Sequence, residues 1–359
     1  MRLPSALPSA SSGAQSFWLS CLRGFVMVNR KQIAKKFILL SVLILFSAGL
    51  YIYARVFAKA LDSGLALTYP VAMRILGRSA ASLLGMAVSA TLIAVVSLAF
   101  QTITENRVLT PSMLGFDSVF LATQSLLVYF ASRIGWMANI LANPYSNFFV
   151  TAGIMLVISM LMYGIMLRKD KNHIVFLLLF GLILSSIVQS FTNYIEVLLD
   201  PQQFQQLKAA TTVSVTNMNE PIIILATPAM MLLTGLFVSW SREFDVMLLG
   251  ENHAKSLGIP YTRRVNSTLL LIAFGMAVTT ALIGPLTFLG LLAVNIARER
   301  FKTYRHSILF FGSILMAVLF LVLGQGIVEL TRYAAPVTVL IDLAGGAYMI
   351  ILIMKEHKL

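Results

Sequence analysis

The sequence contains a single cysteine, Cys21, in 359 residues, which excludes a disulfide or a thiolate metal cluster within one chain. Its four histidines, His173, His253, His306 and His357, are scattered among the segments between apolar stretches and in the tail. That scatter argues against a metal site and against a Ser/His/Asp cluster at depth. No Gly-Lys pair occurs anywhere, so the phosphate-cradling P-loop is excluded and an ATP-driven step would need its motor on another chain. Charged residues make up only 11%, far below the usage of a soluble domain. Paired catalytic groups inside the apolar stretches are missing too, which removes the material for an intramembrane enzyme.

What the sequence has instead is apolar length: 58% hydrophobic residues and a mean hydropathy of +0.86. The expected fold is all-α, a polytopic bundle in the cell membrane and in contact with lipid. A helix needs about 20 apolar residues to cross roughly 30 Å of hydrocarbon. By that measure ten spans are expected, at 37–53, 80–101, 113–131, 147–167, 174–198, 221–239, 267–283, 286–297, 307–326 and 336–354. The eighth is too short to cross alone and is parted from the seventh by Gly284 and Pro285. The two read as a re-entrant or broken helix pair shielded by protein. Residues 1–30 read as a disordered leader or a misassigned start, with translation beginning at Met27, and 31–359 as one transmembrane domain.

The net charge of +13 does not point to nucleic acid, because the basic residues sit in short loops rather than in one patch. It points to topology. With the N-terminus inside, 20 of the 27 Lys and Arg are cytoplasmic, leaving Arg55, Lys59, Arg74, Arg78, Arg133, Lys208 and Arg332 outside. The positive-inside rule therefore places both termini in the cytoplasm. A polar island from Ser241 to Asn266 is then cytoplasmic as well. Phe244, Met247 and Leu248, then Ala254 and Leu257, fall at helical spacing around Gly250, and Gly258 with Pro260 is a helix stop. Two short helices with a small apolar face are expected there, serving either as a connector packed on its own protein or as a docking element for a soluble partner.

Three runs carry a family resemblance: Phe100–Asp117 (FQTITENRVLTPSMLGFD), Gly250–Gly258 (GENHAKSLG) and Gly284–Arg298 (GPLTFLGLLAVNIAR). In this order they resemble the permease subunit of FecCD-type ABC importers for ferric siderophores and cobalamin, over residues 35–355. The wording of the first run is similar to that of the heterodimeric ferric-siderophore branch. Ala293-Val294-Asn295 stands where much of the family has Val-Pro-His, as it does in that branch.

The resemblance implies a ten-span permease without a cofactor. Its implied partners are a second permease subunit, a separate ATP-binding cassette ATPase and an extracytoplasmic ferric-siderophore-binding protein, and transport proceeds by alternating access. It makes 241–266 the coupling loop, with Gly250, Glu251, Ala254, Leu257 and Gly258 facing the ATPase. Gln101, Asn106, Pro111, Gly115, Gly284, Pro285, Gly290 and Arg298 become structural signature positions. Arg74 and Arg78, basic residues against the topological trend, occupy the boundary where the family's Arg-Leu-Pro-Arg motif meets acidic residues of the binding protein, although Arg74-Ile-Leu-Gly-Arg78 lacks the proline. The alternatives are a permease for cobalamin or haem, or an ion-coupled transporter using Asp117, Glu196, Glu329 or Asp342. The last reading is disfavoured because these carboxylates are expected at solvated span ends.

Overall fold

The structure is a computed structural model, describing residues 30–63, 69–169, 174–213, 219–331 and 335–356. The expected leader with Met27 and Cys21, together with His173, His357 and Arg332, lies outside these residues. The described residues form fourteen α-helices and one 3₁₀ turn, with no strand: α1 (Arg30–Ser63), α2 (Tyr69–Ile103), the turn Pro111–Leu114, α3 (Phe116–Ala131), α4 (Gly135–Ala142), α5 (Pro144–Lys169), α6 (Ile174–Val197), α7 (Pro201–Thr211), α8 (Glu220–Ser239), α9 (Ser241–Met247), α10 (Glu251–Ser256), α11 (Tyr261–Ile283), α12 (Leu289–Phe301), α13 (His306–Leu330) and α14 (Val337–Glu356). Seven of them, α1, α2, α5, α8, α11, α13 and α14, are long and apolar enough to cross a membrane. The other three expected spans fall on α3, α6 and α12, which are not among those seven.

α2 is the hub. Of its apolar stretch 78% is buried, against 22 to 56% in the other six long helices. Its sequence explains this, since Ser82, Gly85, Ser89, Ala90, Ala94 and Ser97 let neighbouring backbones come close. α1, α8, α11, α12 and α13 all pack against it. One core cluster groups Leu92, Val96 and Phe100 of α2 with Phe237, Ile272 and Met276, and a second groups Met86, Ile93 and Ala94 with Leu289, Ala293 and Leu321.

The broken pair expected at Gly284-Pro285 is present. α11 stops at Gly284, whose φ of 88° is open to glycine. α12 resumes at Leu289 and, at 13 residues, spans about 20 Å. It is covered by protein along most of its length, with Leu289 to Asn295 all buried. Gly290 makes that approach possible, because a Cβ there would collide with Ser97 Oγ of α2.

α4 and α7 were not expected from apolar length. α7 begins with a capping box: the Asp200 side chain accepts from the Gln203 backbone N–H, and the Gln203 side chain accepts from the Asp200 N–H. Asp200-Pro201-x-Gln203 is a legible helix start. α7 sits at the end of the bundle opposite the 241–258 loop, covering a cavity of about 200 Å³ lined in part by Gln124, Asn147, Asn219 and Gly284.

Candidate coupling loop and permeation face

Both expected short helices form in the polar island. α9 follows α8 with only Trp240 between them, and Gly250, at φ 87°, turns the chain into α10. α10 ends in a Schellman motif. The Ile259 N–H donates to the Ala254 carbonyl and the Gly258 N–H to that of Lys255, with Gly258 at φ 85°.

The apolar face set by helical spacing packs inward, and it takes with it Ala254, which the resemblance had placed toward the ATPase. Phe244, Met247 and Ala254 are buried against the bundle, while Leu249 and Leu257 are 56% and 63% exposed. The helical spacing found a real face, and that face looks inward. The outward one is made by the residues next to the two glycine breaks, where helical period no longer applies. One side of the loop thus packs on its own protein, and on the other Leu249 and Leu257 are left uncovered by this chain. Arg264 at the start of α11 fastens the element, donating to Glu243 Oε1 at 2.7 Å and stacking over the Trp240 ring at 4.1 Å. Glu251 pairs with Lys255 one turn on.

The signature residues converge from separate stretches. Gln101 (2% exposed) and Arg298 line a cavity of about 500 Å³ with Glu105, Arg107, Asn295 and Leu248. Neither polar atom of the Gln101 amide has a partner among the described residues. Burial, with the like charge of Arg107 beside it, pushes Arg298 down to about 10, which leaves it charged at neutral pH. Asn295 donates to the carbonyls of Arg107 and Leu291, at 2.9 and 3.0 Å. It thereby holds the segment after α2 onto α12. Asn106 shapes that segment, its side-chain oxygen accepting from the Val108 N–H. Pro111 starts the 3₁₀ turn, and Gly115, at φ 95°, packs where a Cβ would sit 2.9 Å from Ser185 Oγ of α6. Pro285 lies in the break itself. Asn106, Pro111, Gly115, Gly284 and Gly290 thus sit at turns and close approaches, whereas Gln101 and Arg298 present polar groups to the cavity.

Arg74 and Arg78 are exposed. They lie inside α2 rather than beyond it, because that helix begins at Tyr69, eleven residues before the expected span. One turn apart, they share a face.

Of the four carboxylates, Asp117 accepts from Thr287 Oγ1 at 2.8 Å. Glu196 pairs with Lys208 at 3.7 Å, and Asp342 is half-buried. Glu329 departs from the solvated end position expected of it. It is 2% exposed, in a polar cluster where Arg55, also buried, donates to Tyr51 Oη at 2.5 Å and Ser82 Oγ at 3.1 Å.

A second feature lies on α6. Ser186, Ser190 and Asn193 are exposed and Gln189 is half-exposed, with Gln189 donating to the Asn193 side chain at 2.9 Å. The spacing puts them on one stripe of the helix. Exposed amides in an otherwise apolar helix are unfavourable against hydrocarbon and suit water or another protein. The sequence carried this signal inside a long apolar run.

A model of the FecCD transport family matches residues 37–355. The chain belongs to the FecCD transport family. Among its FecCD relatives, the petrobactin import system permease YclO of Bacillus subtilis is 39% identical over 268 residues, 74% of this chain and 84% of that protein. The petrobactin import system permease FatC of Bacillus anthracis is 28% identical over 92% of both chains. Among solved structures, an inward-facing metal-chelate type ABC transporter superposes with a TM-score of 0.74 at 17% identity, over 90% of this chain and 99% of that one. This FecCD chain thus shares its fold with that ABC transporter chain.

Proposed function

We propose that the chain is the permease subunit of an ABC importer that moves a ferric siderophore into the cytoplasm, with ATP hydrolysed on a separate subunit. The observation that carries the reading is the division of the 241–258 loop. Its inner face is locked into the bundle while Leu249 and Leu257 stand out beside glycine-fixed turns, the form of a lever that a partner can push without unfolding it. Both termini and this loop face the cytoplasm, and the opposite end receives the loaded binding protein at Arg74 and Arg78. The polar stripe of α6 borders the pathway shared with a second permease subunit. A pathway lined by small hydroxyls and amides suits a bulky cargo that carries its own polar groups. Family membership supports the importer, and the two petrobactin permeases among the relatives make ferric petrobactin the first cargo to try.

The test is co-purification from cells expressing the native neighbouring subunits, followed by transport in proteoliposomes. The wild-type chain brings down an ATPase and a second permease, and its ATPase activity rises with binding protein loaded with ferric petrobactin. Leu257→Glu leaves the chain inserted but weakens ATPase retention about 30-fold, the equivalent of roughly 2 kcal/mol at an interface anchor. Full retention and transport by that variant would overturn the docking role.

A further inference from the structure

The inner face of the loop is joined to the bundle by one buried polar residue that the mechanism above does not use. His306, the first residue of α13, has 0% exposure. Its backbone N–H and its ring Nδ1 both meet Asp245 Oδ1 of α9, at 2.6 and 2.8 Å. Its Nε2 meets Thr102 Oγ1 of α2 at 2.8 Å. Three elements therefore meet on one imidazole: the first coupling helix, the hub helix and α13.

The chemistry of the partners fixes how the ring is used. An ionised carboxylate only accepts, so Nδ1 carries a proton toward Asp245. The Thr102 hydroxyl lies 2.8 Å from the Leu98 carbonyl, one turn back. With its hydrogen donated there it accepts from Nε2–H, both ring nitrogens donate, and a charged ring faces Asp245. With the hydroxyl turned, it donates to Nε2 of a neutral ring. Either way both nitrogens are engaged. Arg298 of α12 is the other charge acting on the ring. Phe244 of α9 and Phe310 of α13 close around it, with ring centroids 5.7 and 5.9 Å from the imidazole.

We infer that His306 is a positioning residue for transport: clasped to Asp245 and Thr102, it passes displacement of the coupling helix to α2 and α13. Packing alone, such as that of Phe244, resists compression but slides under shear. Two directed bonds from one rigid ring hold in both directions, and the backbone bond to Asp245 ties the start of α13 to the same oxygen. Near the other end of α13, buried Glu329 lies within electrostatic reach of Tyr51 of α1, whose neighbour Arg55 donates to Ser82 of α2. A push at α9 is therefore felt by α2 and by the start of α13 together.

This inference rests on the reading of 241–258 as the loop that meets the ATPase, and the test separates the two. The full importer is reconstituted with its own ATPase, second permease and binding protein, and uptake of radioiron-labelled ferric petrobactin is measured per ATP hydrolysed. His306→Phe fills the aromatic pocket without either bond. It is expected to retain the ATPase and its hydrolysis while transport per ATP falls about tenfold, the scale of a lost buried, charge-assisted link. His306→Asn, whose amide reaches Asp245 but not Thr102, and His306→Gln, whose amide reaches Thr102 but not Asp245, each fall short of wild type. Asp245→Ala combined with His306→Phe is no worse than either alone. Wild-type transport per ATP by His306→Phe, or additive losses in the double variant, would overturn the clasp while leaving docking intact. Loss of the ATPase from His306→Phe would also overturn it, since the residue would then shape the docking surface. Retention of the ATPase by Leu257→Glu overturns docking instead.

Discussion

α2 and α6 are both long apolar helices of the same bundle, and they solve opposite problems. α2 is covered on nearly every side, its Ser97 meeting Gly290 of α12 and its Val96 and Leu92 meeting Gly275 of α11. α6 shows Leu182, Ile183, Ile187 and Phe191 on its surface, next to a stripe of Ser186, Ser190 and Asn193. Small polar residues occur in both. In α2 they are hidden and pack; in α6 Thr192 is hidden too, but Ser186, Ser190 and Asn193 are open. The difference teaches that residue type does not decide the role of a hydroxyl in a membrane helix. Its neighbours do, and an unburied polar stripe marks where water or another subunit belongs.

The largest effect should come from spoiling the hub. Gly290 lies so close to Ser97 that any added Cβ forces the broken helix off α2, and overpacking of this kind costs about 1–3 kcal/mol or more. Gly290→Val is expected to abolish recovery of monodisperse protein in detergent. Gly290→Ala should be impaired and then largely rescued by Ser97→Gly, as judged by thermal melting. An unaltered melting profile for Gly290→Val would mean that α12 is not clamped as described.

Much of this division was legible beforehand, and the gaps have physical causes. The all-α bundle, the break at Gly284-Pro285 and the two short helices around Gly250 follow from apolar length and from residues that tolerate positive φ. Helix ends were less legible. α1 and α2 run past the apolar segments that announce them, to Arg30 and Tyr69, because backbone hydrogen bonding does not stop where hydrocarbon does. α7 was hidden for the converse reason, being polar, although its Asp200-Pro201-x-Gln203 start was readable. The inward turn of Phe244 and Met247 could not be read, since period gives a face and not its direction. Nor could the meeting of Thr102, Asp245 and His306, which joins residues up to 204 apart in sequence.

A middle-sized effect sharpens the contrast between the two helices directly. With Cys21 replaced by Ser, single cysteines at Ser190 or Asn193 of α6 should react with a membrane-impermeant thiol reagent. A cysteine at Ile187, on the apolar part of the same helix, should react at least about tenfold more slowly, because the thiolate forms only where water reaches it. Cysteines at Ser89 or Ala94 of α2 should stay unlabelled. Equal labelling at 187 and 190 would remove the stripe from the pathway. Protection of 190 and 193 that appears only when the second permease is co-expressed would assign the stripe to the subunit interface.

The smallest effect is expected at the far end of α2, where the hub helix itself emerges. Arg74 and Arg78 are exposed and one turn apart, so they contribute little to the bundle and their charges are free to act on an incoming partner. Rim charges of this kind govern encounter more than final affinity. Arg74→Glu with Arg78→Glu should leave folding and basal ATPase activity intact while slowing capture of the loaded binding protein about tenfold at low salt. The deficit should fade toward 1 M salt, where the screening length shrinks to about 3 Å. Unchanged capture at low salt would leave the two arginines as headgroup contacts and move the docking surface elsewhere. A deficit that persists at high salt would mean that they make close, desolvated contacts instead, and that this end of α2 belongs to the docking interface as fully as its middle belongs to the core.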